Sequence, residues 1–304
     1  VALALALGAG WHADRAAGQT ADFRLVEIAE GAYVHQGAHL EVDDPLRSDV
    51  ANRGFIAGAR CVAVIDTGGS VAAGAALRAA LRRVTALPVC YVINTHVHFD
   101  HVLGNAAFSD DRPSFVGHRR LADAMAANRE YFGTAFGAEL GGLPPETAII
   151  GPDRLVDGAL VIDLGGRQLE LQAHPPGHTE ADLTVLDRAS GILWLGDLLF
   201  LERTPALDGS LRGWLTTLDA LRVRQFRAVV PGHGPAGAPW PQASDDLRRY
   251  LAALLDQTRA AVAAGVSMEE AMTTVGAEER DRWQLFGANH RRNVIRAYQE
   301  LEWE

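Results

Sequence analysis

From about residue 23 the chain alternates apolar and polar positions in short runs, the period-two signature of half-buried strands. Phe23-Arg-Leu-Val-Glu-Ile is the first such run. Gly31-Ala-Tyr-Val-His-Gln, Arg53-Gly-Phe-Ile-Ala-Gly and Cys61-Val-Ala-Val-Ile follow, with a turn at 58–60. The period then changes. Ser70 is placed to N-cap a helix over 71–84, rich in Ala, Leu and Arg. Pro88 opens a wholly apolar run, 89–93, which suits a strand covered on both faces. Strand, helix, strand predicts a right-handed crossover. A second strand group is expected over 148–150, 160–164, 168–173, 183–186 and 192–195, with 228–230 later. From about residue 243 the pattern turns helical, over 245–264, 268–274 and 280–301. Leu247, Tyr250, Leu251, Leu254 and Leu255 form a core-facing stripe there. The order β-rich, α/β, β-rich, α predicts an α/β fold of two crossover-containing halves packed as a sandwich with helices outside.

Composition narrows the function classes. With 48% hydrophobic residues over 304 positions, the chain can bury a sizeable core. A formal net charge of −10 and the lack of any basic run argue against a nucleic-acid partner. All 28 basic residues are Arg, which removes lysine bases, Schiff-base lysines and P-loop lysines from consideration. Cys61 and Cys90 sit in apolar strand-like runs and are expected as buried free thiols, with a disulfide left open if the two strands are neighbours. The opening Val1-Ala-Leu-Ala-Leu-Ala-Leu-Gly-Ala-Gly is too short for a membrane span and resembles the apolar core of a secretory signal. Residues 1–20 therefore read as a leader remnant or disordered arm, 21–304 as the folded domain, and the location as periplasmic or secreted. No membrane insertion of the mature chain is expected, because no other run is long and apolar enough.

Chemistry concentrates in Thr95-His96-Val97-His98-Phe99-Asp100-His101, directly after the apolar run 89–93. Active sites of α/β sheets form at such strand ends. His96 and His98, two apart in extended chain, point the same way and can share one metal. Asp100 and His101 fall where a helix should begin, near 102–108, and can hold a second metal. Three later pieces repeat the pattern of a strand followed by a Gly- or Pro-bearing turn and a donor: Pro176-Gly177-His178, Leu195-Gly196-Asp197 and Pro231-Gly232-His233.

Taken together, these pieces resemble the metallo-β-lactamase superfamily, marked by His-x-His-x-Asp-His and then His, Asp and His on later loops. The resemblance spans about residues 24–240. It implies the αβ/βα sandwich of that family, two mixed β-sheets flanked by helices. It also implies His96, His98 and His178 around a first metal, Asp100, His101 and His233 around a second, and Asp197 bridging them. Asp66, in Ile65-Asp66-Thr67-Gly68, matches the family's structural aspartate. A bridging Asp where antibiotic-degrading members differ resembles glyoxalase II-like thioester hydrolases. The stretches from Val50, Val92 and Leu207 further resemble exported zinc metallohydrolases of quinoprotein relay systems, akin to SoxH proteins.

A hydroxide shared by two zinc ions would attack a small ester, thioester, lactone or amide, and the resemblance implies that Asp100 orients that hydroxide. Substrate-side candidates are His39 and Asn52, which with Gln36 and Arg53 flank a loop able to cover the metals, His118 after an expected strand over 114–117, and Arg203 after the Asp197 strand. Arg203 can pair an anionic group. Phe99 can line an apolar wall, whereas Trp214 reads as core. Two other readings stay open on the same fold: one iron ion serving persulfide oxidation, and a non-catalytic periplasmic relay module. Oligomeric state and scissile bond are left open.

Overall fold

The computed structural model describes residues 23–304, so the expected leader lies outside the described residues. Two sheets carry the fold. The first holds seven strands, β1 (Val26–Ala29), β2 (Ala32–His35), β3 (Arg53–Ala57), β4 (Val62–Ile65), β5 (Val89–Ile93), β6 (Ser114–His118) and β7 (Arg154–Val156), in that spatial order. β1 to β4 pair antiparallel, and β4 to β7 pair parallel. The second holds β8 (Ala159–Asp163), β9 (Gln168–Ala173), β10 (Leu183–Asp187), β11 (Ile192–Phe200) and β12 (Ala228–His233), in the order β12-β11-β10-β9-β8. Its β11–β12 pair is parallel and the rest antiparallel.

The inner faces meet through Val34, Ile65, Ile93 and Val116 on one side and Leu169, Val185, Trp194 and Val230 on the other, all buried. Helices cover the outer faces: α1 (Val71–Val84), α2 (Phe99–Val102), α3 (Leu121–Ala127), α4 (Arg129–Ala135), α5 (Pro145–Ala148), α6 (Leu211–Arg222), α7 (Asp245–Ala263), α8 (Met268–Thr274) and α9 (Phe286–Leu301). Helix α1 starts where expected because the Ser70 hydroxyl accepts the Ala73 N–H, satisfying an orphan donor of the first turn. Helices α1 and α6 supply the parallel crossovers β4–α1–β5 and β11–α6–β12. The architecture is the mixed two-sheet sandwich flanked by helices that the sequence predicts.

Several expectations are corrected. Residues 148–150 are not a strand: Pro144-Pro145 starts the helical turn α5, as Pro favours at a helix start. The helix expected over 102–108 is the single turn α2 followed by a 3-10 segment, Asn105–Asp111. The run 280–301 divides at Leu285, a left-handed residue that separates the 3-10 turn Ala277–Arg282 from α9. Helices α3, α4 and α6 lie outside the helical runs that the sequence pattern predicts.

Cys61 and Cys90 are not free thiols but a disulfide, with Cα atoms 5.8 Å apart. The parallel register Val62↔Val89 brings them together, a fact only strand pairing decides. The bridge closes a loop of sequence separation 29, so replacing both by alanine should cost about 3–4 kcal/mol. Guanidinium unfolding of the wild type and the double variant checks this; equal midpoints would show that the bridge contributes no stability.

Candidate metal centre

Four segments converge on one point. The turn after β5 carries His96 and His98, and α2 carries Asp100 and His101. The loop between β9 and β10 carries His178, β11 carries Asp197, and β12 ends on His233. Their donor atoms form two groups, His96 with His98, His178 and Asp197, and Asp100 with His101 and His233. Asp197 stands between them. Its Oδ2 lies 3.3 Å from both His178 Nε2 and His233 Nε2 and 3.6 Å from His96 Nε2. Its Oδ1 lies 3.1 Å from His101 Nε2. Asp100 Oδ2 lies 3.4 Å from His233 Nε2.

Close packing between the sheets places Asp197. A Cβ on Gly196 would stand 2.6 Å from the Thr95 hydroxyl oxygen, and one on Gly232 would stand 1.8 Å from Asp197 Oδ1. Neither position has room for a side chain, so glycine lets β11 and β12 bring their donors together. Gly196 also has φ +52°, and a register shift interrupts the β11–β12 pairing at this point.

Each imidazole is held from behind by one ring nitrogen. His178 Nδ1 donates to the Ala206 carbonyl at 2.7 Å, and His233 Nδ1 to the Val50 carbonyl at 2.8 Å. His101 Nδ1 donates to Asp66 Oδ2 at 2.8 Å, and His98 Nε2 to Asp208 Oδ2 at 2.8 Å. His96 Nδ1 meets the Thr95 hydroxyl oxygen at 3.1 Å, and that hydroxyl donates to Asp66. In a neutral ring these partners keep the proton on the outer nitrogen and leave the inward one with a lone pair. Asp66 takes a left-handed backbone, φ +53°, and accepts the Thr95 N–H as well, so one buried carboxylate braces two donors. Below them Asn94, Asn105 and Thr67 bond to one another and to the His101 carbonyl, fixing the turn.

Burial, helped by the neighbouring rings, holds His96 well below the ordinary histidine range and His178 down to about 3. Both are neutral, as ligation requires. For His101 burial acts against charge, but the carboxylates Asp197, Asp66 and Asp100 outweigh it and hold the ring well above its usual value. For Asp197 burial opposes ionisation, and the surrounding imidazoles, His233 and His101 foremost, nevertheless hold it well below the carboxylate range. Positive charge is thus best placed among these groups. The buried His96 Nε2 has no hydrogen-bond partner, and His101 Nε2 and Asp197 Oδ1 face only each other, 3.1 Å apart. Orphaned atoms of this kind are costly unless something binds them. A tetrahedral ion with bonds of about 2.0–2.1 Å spaces its ligands about 3.3 Å apart, close to the separations above. The residues fit divalent cations.

Beside the donors lies a cleft of about 500 Å³ reached by His98, Asp100, Asp197 and His233. Of the substrate-side candidates, Arg203 lines it, and its buried Nε lacks a partner. His39 stands by Glu202, Nε2 to Oε2 3.3 Å, and burial lowers its pKa. Asn52 is not among the lining residues: its amide donates to the Pro231 and Gly234 carbonyls and its oxygen accepts the Gly37 N–H, fastening the His233 turn. His118 is also outside the lining, and its Nδ1 accepts the Arg120 N–H. Gln36 accepts the Ala236 N–H, and the buried Arg53 pairs with Asp49. Phe99 lines the cleft, whereas Trp214 is wholly buried behind His178.

Sequence reasoning missed Asp208. It accepts from His98 on one oxygen and from Arg292 of α9 on the other, at 2.6 Å, and its loop docks on the His178 carbonyl. The Asp-Gly turn after β11 was its only local signal.

The family model described as the Metallo-beta-lactamase superfamily matches residues 48–233. The human acyl-coenzyme A thioesterase MBLAC2 is 32% identical over 133 residues, 40% of this chain and 43% of that protein. The chain thus spans less than half the length of that relative. Among solved structures, a beta-lactamase domain protein from Burkholderia ambifaria superposes with TM-score 0.67 at 18% identity, covering 95% of this chain and 89% of that one. The sec-alkylsulfatase Pisa1 from Pseudomonas sp. gives TM-score 0.65 at 17% identity, covering 90% of this chain and 49% of that one.

Proposed function

Because this chain belongs to the metallo-β-lactamase superfamily, we propose that it is a hydrolase that works with two zinc ions on a small ester, thioester, lactone or amide. One observation carries the reading. Every imidazole of the cluster has its outer nitrogen engaged and its inner nitrogen turned toward Asp197 or a neighbouring donor. His98 Nδ1 and His178 Nε2 face each other at 3.0 Å, a contact that a proton on His98 bridges without metal and that a metal ion can bridge in its place. His96, His98, His178 and Asp197 would hold one ion, and Asp100, His101 and His233, sharing Asp197, the other. Such ions polarise a scissile carbonyl and supply a nucleophile from water near pH ~7.

The protein's own groups do the rest. Asp208, Asp66 and the Ala206 and Val50 carbonyls hold the rings in orientation. Asp100, at the cleft wall, is placed to accept a hydrogen bond from the attacking water and take its proton. Arg203 has no carboxylate partner among the described residues and offers its charge to an anionic substrate group. Among the candidate bonds a thioester comes first, since MBLAC2 is an acyl-coenzyme A thioesterase. The disulfide suits an oxidising compartment, which supports a periplasmic or secreted location.

Elemental analysis of protein produced with zinc and iron both available tests the reading. Two zincs per chain are expected, with turnover in a thioester, lactone and lactam panel. Adding zinc to chelator-stripped protein should raise stability by about 2.7 kcal/mol for each site filled at a hundredfold excess over its Kd. One iron per chain, with oxygen uptake on persulfides, would replace the hydrolase reading by sulfur oxidation.

A further inference from the structure

We propose that the segment from Val97 to Phe136 builds a subsite for a bulky apolar acyl group, so that this site takes hydrophobic acyl compounds in preference to acetyl ones. The inference rests on the hydrolase reading for its chemistry, but on a separate set of residues for its geometry. Phe99 lies between two of the candidate ligands in sequence, so its ring starts the wall at the reacting end. It stacks on Phe136 with ring centres 4.2 Å apart and planes 14° from parallel. Tyr131 meets Phe136 edge-on at 5.8 Å and carries the wall outward. Tyr131 and Val42 both line the cleft and are 57% and 59% exposed. Tyr131 and Val42 thus leave apolar surface open to water along the cleft, which an acyl chain lying there would cover.

Polarity fits that direction. Asn128 also lines the cleft, but its amide donates to the Ala124 carbonyl of its own helix at 2.9 Å. Of the two arginines that line it, Arg292 is paired with Asp208, whereas Arg203 has no carboxylate partner among the described residues. An acyl compound in this subsite lies with its apolar chain toward α3 and α4 and its polar leaving group toward Arg203. Hydrolysis cleaves the bond between carbonyl carbon and leaving atom; water adds OH to the acyl carbon and a proton to the leaving group. The volume, about 500 Å³, exceeds what an acetyl group needs and lies within the range of ordinary ligand pockets.

The test is a thioester series with one leaving group and acyl chains from acetyl to octanoyl, run on the zinc-loaded protein. In the wild type kcat/KM should rise with each methylene, by up to about fourfold where burial is complete. Tyr131→Ala and Val42→Ser, both at exposed positions that the fold tolerates, should flatten that rise and lower the octanoyl-to-acetyl ratio by about tenfold in combination. Calorimetric binding of acetate, hexanoate and octanoate reads the same subsite without turnover. Turnover with no dependence on chain length, in rates and in binding, overturns the subsite and leaves the hydrolase. Binding that strengthens with chain length but no turnover overturns the hydrolase and leaves the subsite. An unchanged slope in the variants assigns the preference elsewhere and overturns the wall.

Discussion

Replacing His96 and His98 together by alanine will leave a protein that keeps at most one ion per chain and loses turnover by on the order of 10³-fold or more. Those two rings supply half of one donor group, and His178 with Asp197 cannot hold an ion alone. The other group, Asp100, His101 and His233, is untouched, so metal content separates the two halves of the centre. Folding gives the sharper readout. If the inward nitrogens exist to bind cations, added zinc should stabilise the double variant less than the wild type, because the variant has lost the orphaned His96 Nε2 and the facing pair His98 Nδ1–His178 Nε2. A merely structural role for the rings predicts the same gain with zinc in both proteins. Full activity with undiminished zinc would sink the assignment outright.

Asp208→Ala carries the second large effect, a loss of metal affinity of about 10–100-fold, read by chelator competition. The carboxylate orients His98 through Nε2 at 2.8 Å and is itself gripped by Arg292 at 2.6 Å. Burial works against its ionisation, but the His98 bond, the His98 charge and Arg292 together hold its pKa below the usual carboxylate range. Without it His98 loses the acceptor that keeps its proton on the outer nitrogen, and the ring is free to turn. Asp208→Asn keeps an oxygen acceptor and should restore part of the affinity. Arg292→Ala removes an exposed partner and should cost much less, since the carboxylate still receives the His98 N–H. Equal affinities for wild type and Asp208→Ala would show that the Ala206, Val50 and Asp66 bonds suffice to set the site.

The legible part of this protein is the part encoded over short distances. Helix α1 could be read to its first residue because a hydroxyl cap and a periodic stripe act within one turn. The donors could be read because four of them share six residues after a buried strand, and the others each end a strand on a Gly- or Pro-bearing turn. Where local pattern is weak, reading fails: 148–150 is apolar enough for a strand, yet consecutive prolines decide for a helical turn.

By itself, then, the sequence determined most of the strands, helix α1, the sandwich class and the identity of seven candidate ligands, because each shows in a pattern within a few residues. Tertiary structure alone decided the rest. Cys61 meets Cys90 because β4 and β5 pair in one register, and register is a property of two strands. Asp208 becomes the brace of His98 across 110 positions. Asn52 fastens the turn of His233 across 179 and 182 positions when local reading suggested a substrate contact. Phe99, Tyr131 and Phe136 become one wall only when helices fold over the donor turn. Such pairings cost chain entropy to form and leave no local trace, since they depend on which distant surfaces the core brings into contact.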